Sequence, residues 1–332
     1  MDANSTEDTV TLSMVKNSAY HTRNGNPSPF GVTAVTINVI FFILIVGENA
    51  LVLYAIKKYK NLQTVTNVYL ANLAVADLMF GMINLPIMTY NIILFIISDP
   101  FSYKPNKYEC LTYASLWHLF FMVTVLSLFG VSCERYIAVL RPLYHATSVT
   151  MRRVVISVLI IWITSIFVAF LLMIDIFNLA DELENCTLIM SKLYPLIIVM
   201  LVNVVVLVTI GIYIHIGLIT WRHKKAISAQ HGPNSGNAGK NSKLSKMLAI
   251  ILGCYLVCLI PYQSINVYLL VLRTTHPSPQ STVNVINIDT AFLTVNAIAT
   301  YLLSSNSWIN PLIYAGLNQN FREAFKKILG CG

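Results

Sequence analysis

Apolar positions in this chain fall into seven long runs, with no short period repeated along it. The first run, 32–56, holds a single ionisable residue, Glu48. Others lie at about 64–97, 111–140, 154–177, 193–221, 247–272 and 286–316. Each reaches the roughly 20 residues that an α-helix needs to cross the hydrocarbon of a bilayer. The strict alternation of a membrane β-barrel is missing. The pattern predicts an all-α membrane protein, a seven-transmembrane helix bundle spanning 32–316. Residues 1–31 form a polar N-terminal segment. The stretch 222–246 contains Gly-Pro-Asn-Ser-Gly-Asn-Ala-Gly at 232–239 and is expected to be a flexible loop. Within 317–332, Phe321, Phe325, Ile328 and Leu329 recur at helical spacing opposite Arg322, Lys326 and Lys327. That predicts a short amphipathic eighth helix lying on the membrane surface, followed by a short tail.

Composition strengthens this picture. Hydrophobic residues make up 56% and charged residues only 11%, against about 25% charged in a soluble domain. The net charge of +8 is uneven along the chain. With residues 1–31 outside, only Lys16, Arg23, Lys104, Lys107, Lys192 and Arg273 face outward, and the remaining Lys and Arg face the cytoplasm. This is the positive-inside bias, so the charge needs no nucleic-acid partner to explain it. The expected location is the plasma membrane, multi-pass, with the N-terminus outside. No basic segment followed by a short apolar one occurs in Met1–Pro29, so the first span is expected to act as its own insertion signal. The sequons at Asn4 and Asn185 both fall outside under this topology.

Of six cysteines, only Cys110 and Cys186 lie on the oxidising side. A disulfide between them is the expected reading, with two unpaired outer thiols as the alternative. Cys133, Cys254 and Cys258 read as small packing residues. Cys331 follows the amphipathic segment and is a palmitoylation candidate.

Polar groups inside lipid are costly and need a partner or a purpose. They occur here at Asn49, at Asn72 and Asp77 (in Leu73-Ala74-Val75-Ala76-Asp77), and at Thr124 and Ser127. Glu134-Arg135-Tyr136 ends the third span, followed by Ile-Ala-Val-Leu-Arg-Pro-Leu as far as Leu143. Trp162 stands in the fourth span, Pro261 in the sixth, and Asn306, Ser307 and Asn310-Pro311-Leu312-Ile313-Tyr314 in the seventh. A carboxylate at Asp77 cannot stay charged in mid-span without partners. Thr124, Asn306, Ser307 and Asn310 are the oxygen-bearing residues able to converge on it if the helices bundle.

These motifs, each occurring once and in order across 32–330, resemble those of the rhodopsin-like (class A) G-protein-coupled receptors. The resemblance implies a cell-surface receptor that binds an extracellular ligand and activates a heterotrimeric G protein. No cofactor is expected, although Asp77 and its neighbours resemble the family's allosteric sodium site; a hydrogen-bonded cluster without an ion is the alternative. Glu134, Arg135 and Tyr136 would form the coupling end, with Leu143, Tyr213 and Tyr314 beside them. Pro261 and Pro311 would supply bends where helices can rotate. Arrestin and membrane lipid are further expected partners. Since Trp308–Gly332 holds no Ser or Thr, phosphorylation for arrestin would fall on Ser228, Ser235, Ser242 and Ser245.

By the same analogy the ligand sits between the outer halves of the third, fifth, sixth and seventh helices. That names Trp117, His118 and Phe121, then Tyr194 with Ile197, then Tyr262, Gln263 and Asn266, and finally Asn296, Thr300 and Ser304. The seventh helix has no lysine, so retinal is excluded. Trp117 stands where amine receptors carry an aspartate, so an ammonium lacks its counterion there. A peptide or an uncharged small molecule suits such an aromatic, neutral-polar cavity. The chain departs from the family at Val205 in place of a proline, Leu259 in place of tryptophan and Tyr255 in place of phenylalanine. Glu48 beside Asn49 and the missing proline resemble the melanocortin, cannabinoid and lysolipid receptors, which typically lack the cysteine that Cys110 supplies.

Other classes fit less well. A transporter or channel would line a path with charges, and only Asp77 and Glu48 lie in mid-span. Gly-x-Ser-x-Gly and His-Glu-x-x-His, the marks of an intramembrane enzyme, do not occur.

Overall fold

The computed structural model describes residues 29–97, 107–179, 193–231, 239–275 and 290–330. All regular structure among them is helical. Helix α1 runs Pro29–Lys58, and a short turn at Lys60–Leu62 leads to α2. That helix is α-helical over Val65–Met79, passes through a π-helical turn at Phe80–Asn84, and continues as Leu85–Ile97. Then come α3 (Lys107–Leu140), a loop helix (Pro142–Ser148), α4 (Met151–Leu179), α5 (Leu193–His231) and α6 (Gly239–Thr275). Thr290–Leu317 forms α7 and Gln319–Leu329 forms α8.

Six of these helices are long and apolar enough to cross a membrane by length and composition. The seventh, α7, has 28 residues, enough for the crossing, but its apolar character is diluted by a run of polar side chains. Ser304, Ser305, Asn306, Ser307 and Asn310 are all buried. The polarity of α7 therefore faces the bundle while its apolar face looks outward, as at Ile298. Ile43, Ile163, Phe167, Leu207 and Val257 are likewise exposed. In water this surface would drive aggregation; in a bilayer it is the face that lipid covers.

Helices α2 and α3 are the most enclosed spans. Helix α3 is packed by α2, α4, α5 and α6, and α7 closes the bundle against α6 and α1. Helix α2 begins at Thr64, whose side chain accepts from the Asn67 amide at 3.3 Å, an N-cap. It approaches α1 closely at Gly81, where a Cβ would lie 2.8 Å from Ile45 Cγ2. Side-chain hydrogen bonds then lock the spans together. Asn49 Nδ2 donates to the Ser307 carbonyl at 2.9 Å, joining α1 to α7. Trp162 Nε1 donates to Asn72 Oδ1 at 2.7 Å, and Asn72 Nδ2 to Ser127 Oγ at 2.7 Å, joining α4, α2 and α3.

Two expectations are corrected here. The inner segment 222–246 is not irregular throughout: α5 continues to His231 and α6 begins at Gly239. Only 232–238, the Gly/Pro/Asn-rich part, lies outside the described residues. The residues before it, Arg222–His231, include helix-forming Lys, Ala and Gln, which prolong the helix beyond the membrane. In α8, Phe321 and Phe325 are buried and Ile328 half-buried as expected, but Leu329 is 63% exposed. It is the last helical residue before Gly330, whose φ of 70° ends the helix in the left-handed conformation.

Candidate functional site

Asp77 is the centre around which the inner polar side chains gather. It is buried on α2, with Ser307 Oγ donating to Oδ1 at 2.7 Å and Asn310 Nδ2 to Oδ2 at 3.4 Å. Above it lies a cavity of about 40 Å³, lined by Asp77, Thr124, Asn306 and Ser307 on its polar side. Asn306 Oδ1 and Asn310 Oδ1 are buried and have no hydrogen-bond partner among the described residues. A carboxylate beside partnerless amide oxygens, with room for two or three water-sized particles, is a donor set suited to a small hard cation.

Aromatic rings roof this cavity. Trp117, Phe120, Phe121 and Phe80 line it from α3 and α2, with Tyr255 from α6. Trp117 Nε1 donates to Tyr262 OH at 3.2 Å, the one direct side-chain hydrogen bond from α3 to α6 among the described residues. Tyr262 also packs on Phe121, with ring centroids 6.1 Å apart. Pro261, inside α6, immediately precedes this tyrosine and removes a backbone donor from the helix at that level. Leu259, at the position where the resemblance leads one to expect tryptophan, is buried.

The expected pocket residues separate into groups. Trp117, Phe121 and Ser304 line the cavity, and Tyr262 is bound to Trp117. Gln263 is buried with Nε2 unpartnered among the described residues. His118 Nδ1 lies 2.8 Å from the Ala114 carbonyl on its own helix, and Asn266 Nδ2 donates to the Tyr262 carbonyl at 2.9 Å, one turn back on α6. Asn296 and Thr300 are half-buried on α7, about two turns and one turn above Ser304, and do not line the cavity. On α5 the inward position is Ile198, which is buried, whereas Ile197 is 47% exposed. A helix that is apolar all round gives no signal by which to choose between those neighbours. Cys110 and Tyr194 lie in helices whose side chains are not described at those positions. Asn4, Asn185, Cys186 and Cys331 lie outside the described residues.

At the opposite end of α3, Arg135 is buried and ion-paired to the neighbouring Glu134. Its Nη2 also donates to Thr66 Oγ1 on α2 at 2.5 Å. Glu134 in turn faces His145 Nε2 at 2.6 Å, on the loop helix. Thr66 and His145 were missed by sequence reasoning. A threonine in a first helical turn and a histidine in a loop carry no signal of a partner. Tyr136 OH lies 3.0 Å from His215 Nδ1 on α5, and Tyr213, on the same helix, is half-buried against the core. Leu143 is 86% exposed, available to a partner, and Tyr314 is buried against Phe321 with ring centroids 5.5 Å apart. Pro311, on the same turn of α7 as Asn310, is buried. On α6, Met247, Leu248 and Ile251 are all buried, so apolar contact closes this end of the bundle.

Comparison with known proteins assigns this architecture. The profile of the "7 transmembrane receptor (rhodopsin family)" matches residues 48–314. The chain is 30% identical to the histamine H2 receptor of Cavia porcellus, over 91% of this chain and 81% of that protein. It is 27% identical to the histamine H2 receptor of Homo sapiens, over 93% and 84%. It is 26% identical to the adenosine receptor A2a of Cavia porcellus, over 89% and 72%. These matches favour neither a transporter nor an enzyme. The chain belongs to the rhodopsin family of seven-transmembrane receptors, multi-pass membrane proteins that bind a ligand and act through G proteins.

Proposed function

We propose that this receptor displays residues 1–31 outside the cell and takes an uncharged small molecule or a peptide between the outer halves of α3, α5, α6 and α7. The observation that carries this reading is the bridge from Trp117 to Tyr262 over the cavity. A ligand seated on it exchanges contacts with α3 and α6 together, and Pro261 beside Tyr262 lets α6 bend in response. The relatives are named for histamine, a small amine, and adenosine, a neutral nucleoside. No acid stands among the candidate pocket residues, and the acid at the cavity floor, Asp77, is already engaged by Ser307 and Asn310. Neutral donors and acceptors such as Gln263 and Ser304 suit the second chemistry better than the first.

In the resting receptor, a sodium ion held by Asp77, Ser307 and Asn310, with Asn306 and Thr124 beside them, would bias the bundle against activation. The partnerless oxygens of Asn306 and Asn310 support this fit. Activation would then release Arg135 from Glu134 and Thr66 to meet the G protein, with Leu143 offering an apolar contact beside it. Arrestin would follow at the serines of the third inner loop.

The test is nucleotide exchange on a panel of G proteins, with amines, nucleosides and peptides screened in parallel. An uncharged agonist or peptide whose potency falls at least tenfold in Trp117→Ala and Tyr262→Phe, at matched surface expression, supports the reading. An agonist response that requires a protonated amine overturns the proposed ligand class.

A further inference from the structure

A second cavity, of about 520 Å³, opens on the lipid-facing side between α3 and α4, beneath the loop helix. It is larger than the one above Asp77 and lies within the size of known small-molecule sites, roughly 300–1,000 Å³. Its α3 wall runs from Leu126 through Phe129 to Ile137, and its α4 wall from Arg153 through Ile160 to Thr164. Each wall spans twelve residues, and the eleven rises between its ends, at 1.5 Å each, make about 16 Å. That is close to half of the roughly 30 Å hydrocarbon core, the depth of one leaflet. The floor is closed by the Tyr69 ring, which packs against Gly130 so closely that a Cβ there would meet it at 2.8 Å. Tyr69 OH is in turn held 2.6 Å from Ser157 Oγ. The cleft therefore has a built floor, an apolar body and one end at the membrane surface.

That end is positively charged. Arg153 is exposed at the mouth, and its Nη1 donates to the Ser148 carbonyl at 2.6 Å. This bond fixes the guanidinium there and leaves further donors for an anion. Arg152 and Arg141 are exposed nearby in the chain. The acid in the lining, Glu134, is buried and engaged by Arg135 and His145, so it does not offset this charge.

We propose that this cleft binds an anionic phospholipid of the inner leaflet, one acyl chain lying between α3 and α4 and the phosphate on Arg153. Depth, apolar body and charged rim match the three parts of such a molecule, and the inner leaflet supplies it. The site is separate from the ligand cavity and does not depend on what the receptor binds there. Because Glu134 lines the same cleft, the lipid sits against the group that restrains Arg135.

The experiment uses the intact receptor in phosphatidylcholine nanodiscs doped with a lipid carrying a diazirine in its acyl chain. Phosphatidylserine, phosphatidylcholine and a photoactivatable sterol are compared, and labelled peptides are mapped by mass spectrometry. The expected result is several-fold stronger labelling of 126–137 and 153–164 by phosphatidylserine than by phosphatidylcholine. Arg153→Gln should bring that ratio to about one, and Ile160→Trp with Thr164→Trp should remove the labelling there while α1 and α5 stay labelled. Equal labelling by the two phospholipids in the unmodified receptor overturns the proposal, and that comparison needs no variant to fold. So does a ratio unchanged in Arg153→Gln, or labelling of these segments by the sterol alone.

Discussion

His145 Nε2 lies 2.6 Å from Glu134 Oε1, so the loop helix grips the same carboxylate that pairs with Arg135. A carboxylate only accepts, so the ring nitrogen facing it donates. Glu134 is thereby held from three sides, by Arg135, Thr66 and His145. The loop helix is tied to the state of Arg135 through one side chain.

Removing that grip should loosen the resting state. In His145→Ala the acid keeps Arg135 and Thr66 but loses the contact that fixes its position. Hydrogen bonds to charged groups contribute about 1.5–3 kcal/mol, and partial exposure lowers this toward about 1 kcal/mol. Basal nucleotide exchange at matched surface expression should rise roughly fivefold. Basal exchange at or below that of the unmodified receptor would show that the contact does not restrain activation.

The inner end of α6 carries no acid to hold Arg135 from the other side. Its sequence Gly239-Lys240-Asn241-Ser242-Lys243-Leu244-Ser245-Lys246 offers only amide, hydroxyl and ammonium groups. Buried Met247, Leu248 and Ile251 close this end by apolar contact. We expect measurable exchange without ligand, reduced in Asn241→Glu by a new pair with Arg135 worth about 1 kcal/mol. Exchange equal to an empty-membrane control in the unmodified receptor would refute this.

Asp77→Asn should abolish sodium-dependent lowering of agonist affinity while the receptor still reaches the surface. The amide keeps the shape and a bond from Ser307 but loses the charge an ion requires. Agonist competition curves with sodium or with an equal concentration of a large organic cation provide the readout. Sodium sensitivity retained in the variant would remove Asp77 from this role.

Cys110 and Cys186 are expected to form a disulfide joining α3 to the following outer loop. Mass mapping of non-reduced peptides should recover the linked pair, and either Cys→Ala substitution should cut surface expression or agonist response severalfold. Recovery of both thiols free would count against the bond.

Arrestin recruitment, where agonist elicits it, should fall at least twofold when Ser228, Ser235, Ser242 and Ser245 are all alanine. Agonist-stimulated recruitment measured by proximity luminescence tests this. Undiminished recruitment in the quadruple variant would exclude these serines.

What could be read in advance divides along the membrane boundary. Inside lipid a polar side chain must find a partner, so Asn49, Asn72, Asp77, Asn310 and Trp162 announced themselves by their mere presence. The structure pairs each of them with another helix. The seven spans were legible for the same reason, because hydrocarbon admits no other use for such runs. At the water-facing end that constraint lapses. His145 and Thr66 need no buried partner to exist there, so nothing in the sequence marked them. On α5, continuous apolar composition hid which of Ile197 and Ile198 turns inward. The π-helical turn was equally invisible, since Phe80-Gly81-Met82-Ile83-Asn84 reads as ordinary helix.

That turn reaches beyond this molecule's own packing. A π turn accommodates one residue more than the α-helix would, which rotates everything after it by about 100°. Leu85, Ile92 and the rest of the outer half of α2 therefore present a different face from the one an unbroken count from Asp77 would assign. Any residue-by-residue equivalence drawn from a relative with a regular helix there holds up to Met79. Beyond Asn84 it is displaced by one position unless a gap is opened within those five residues.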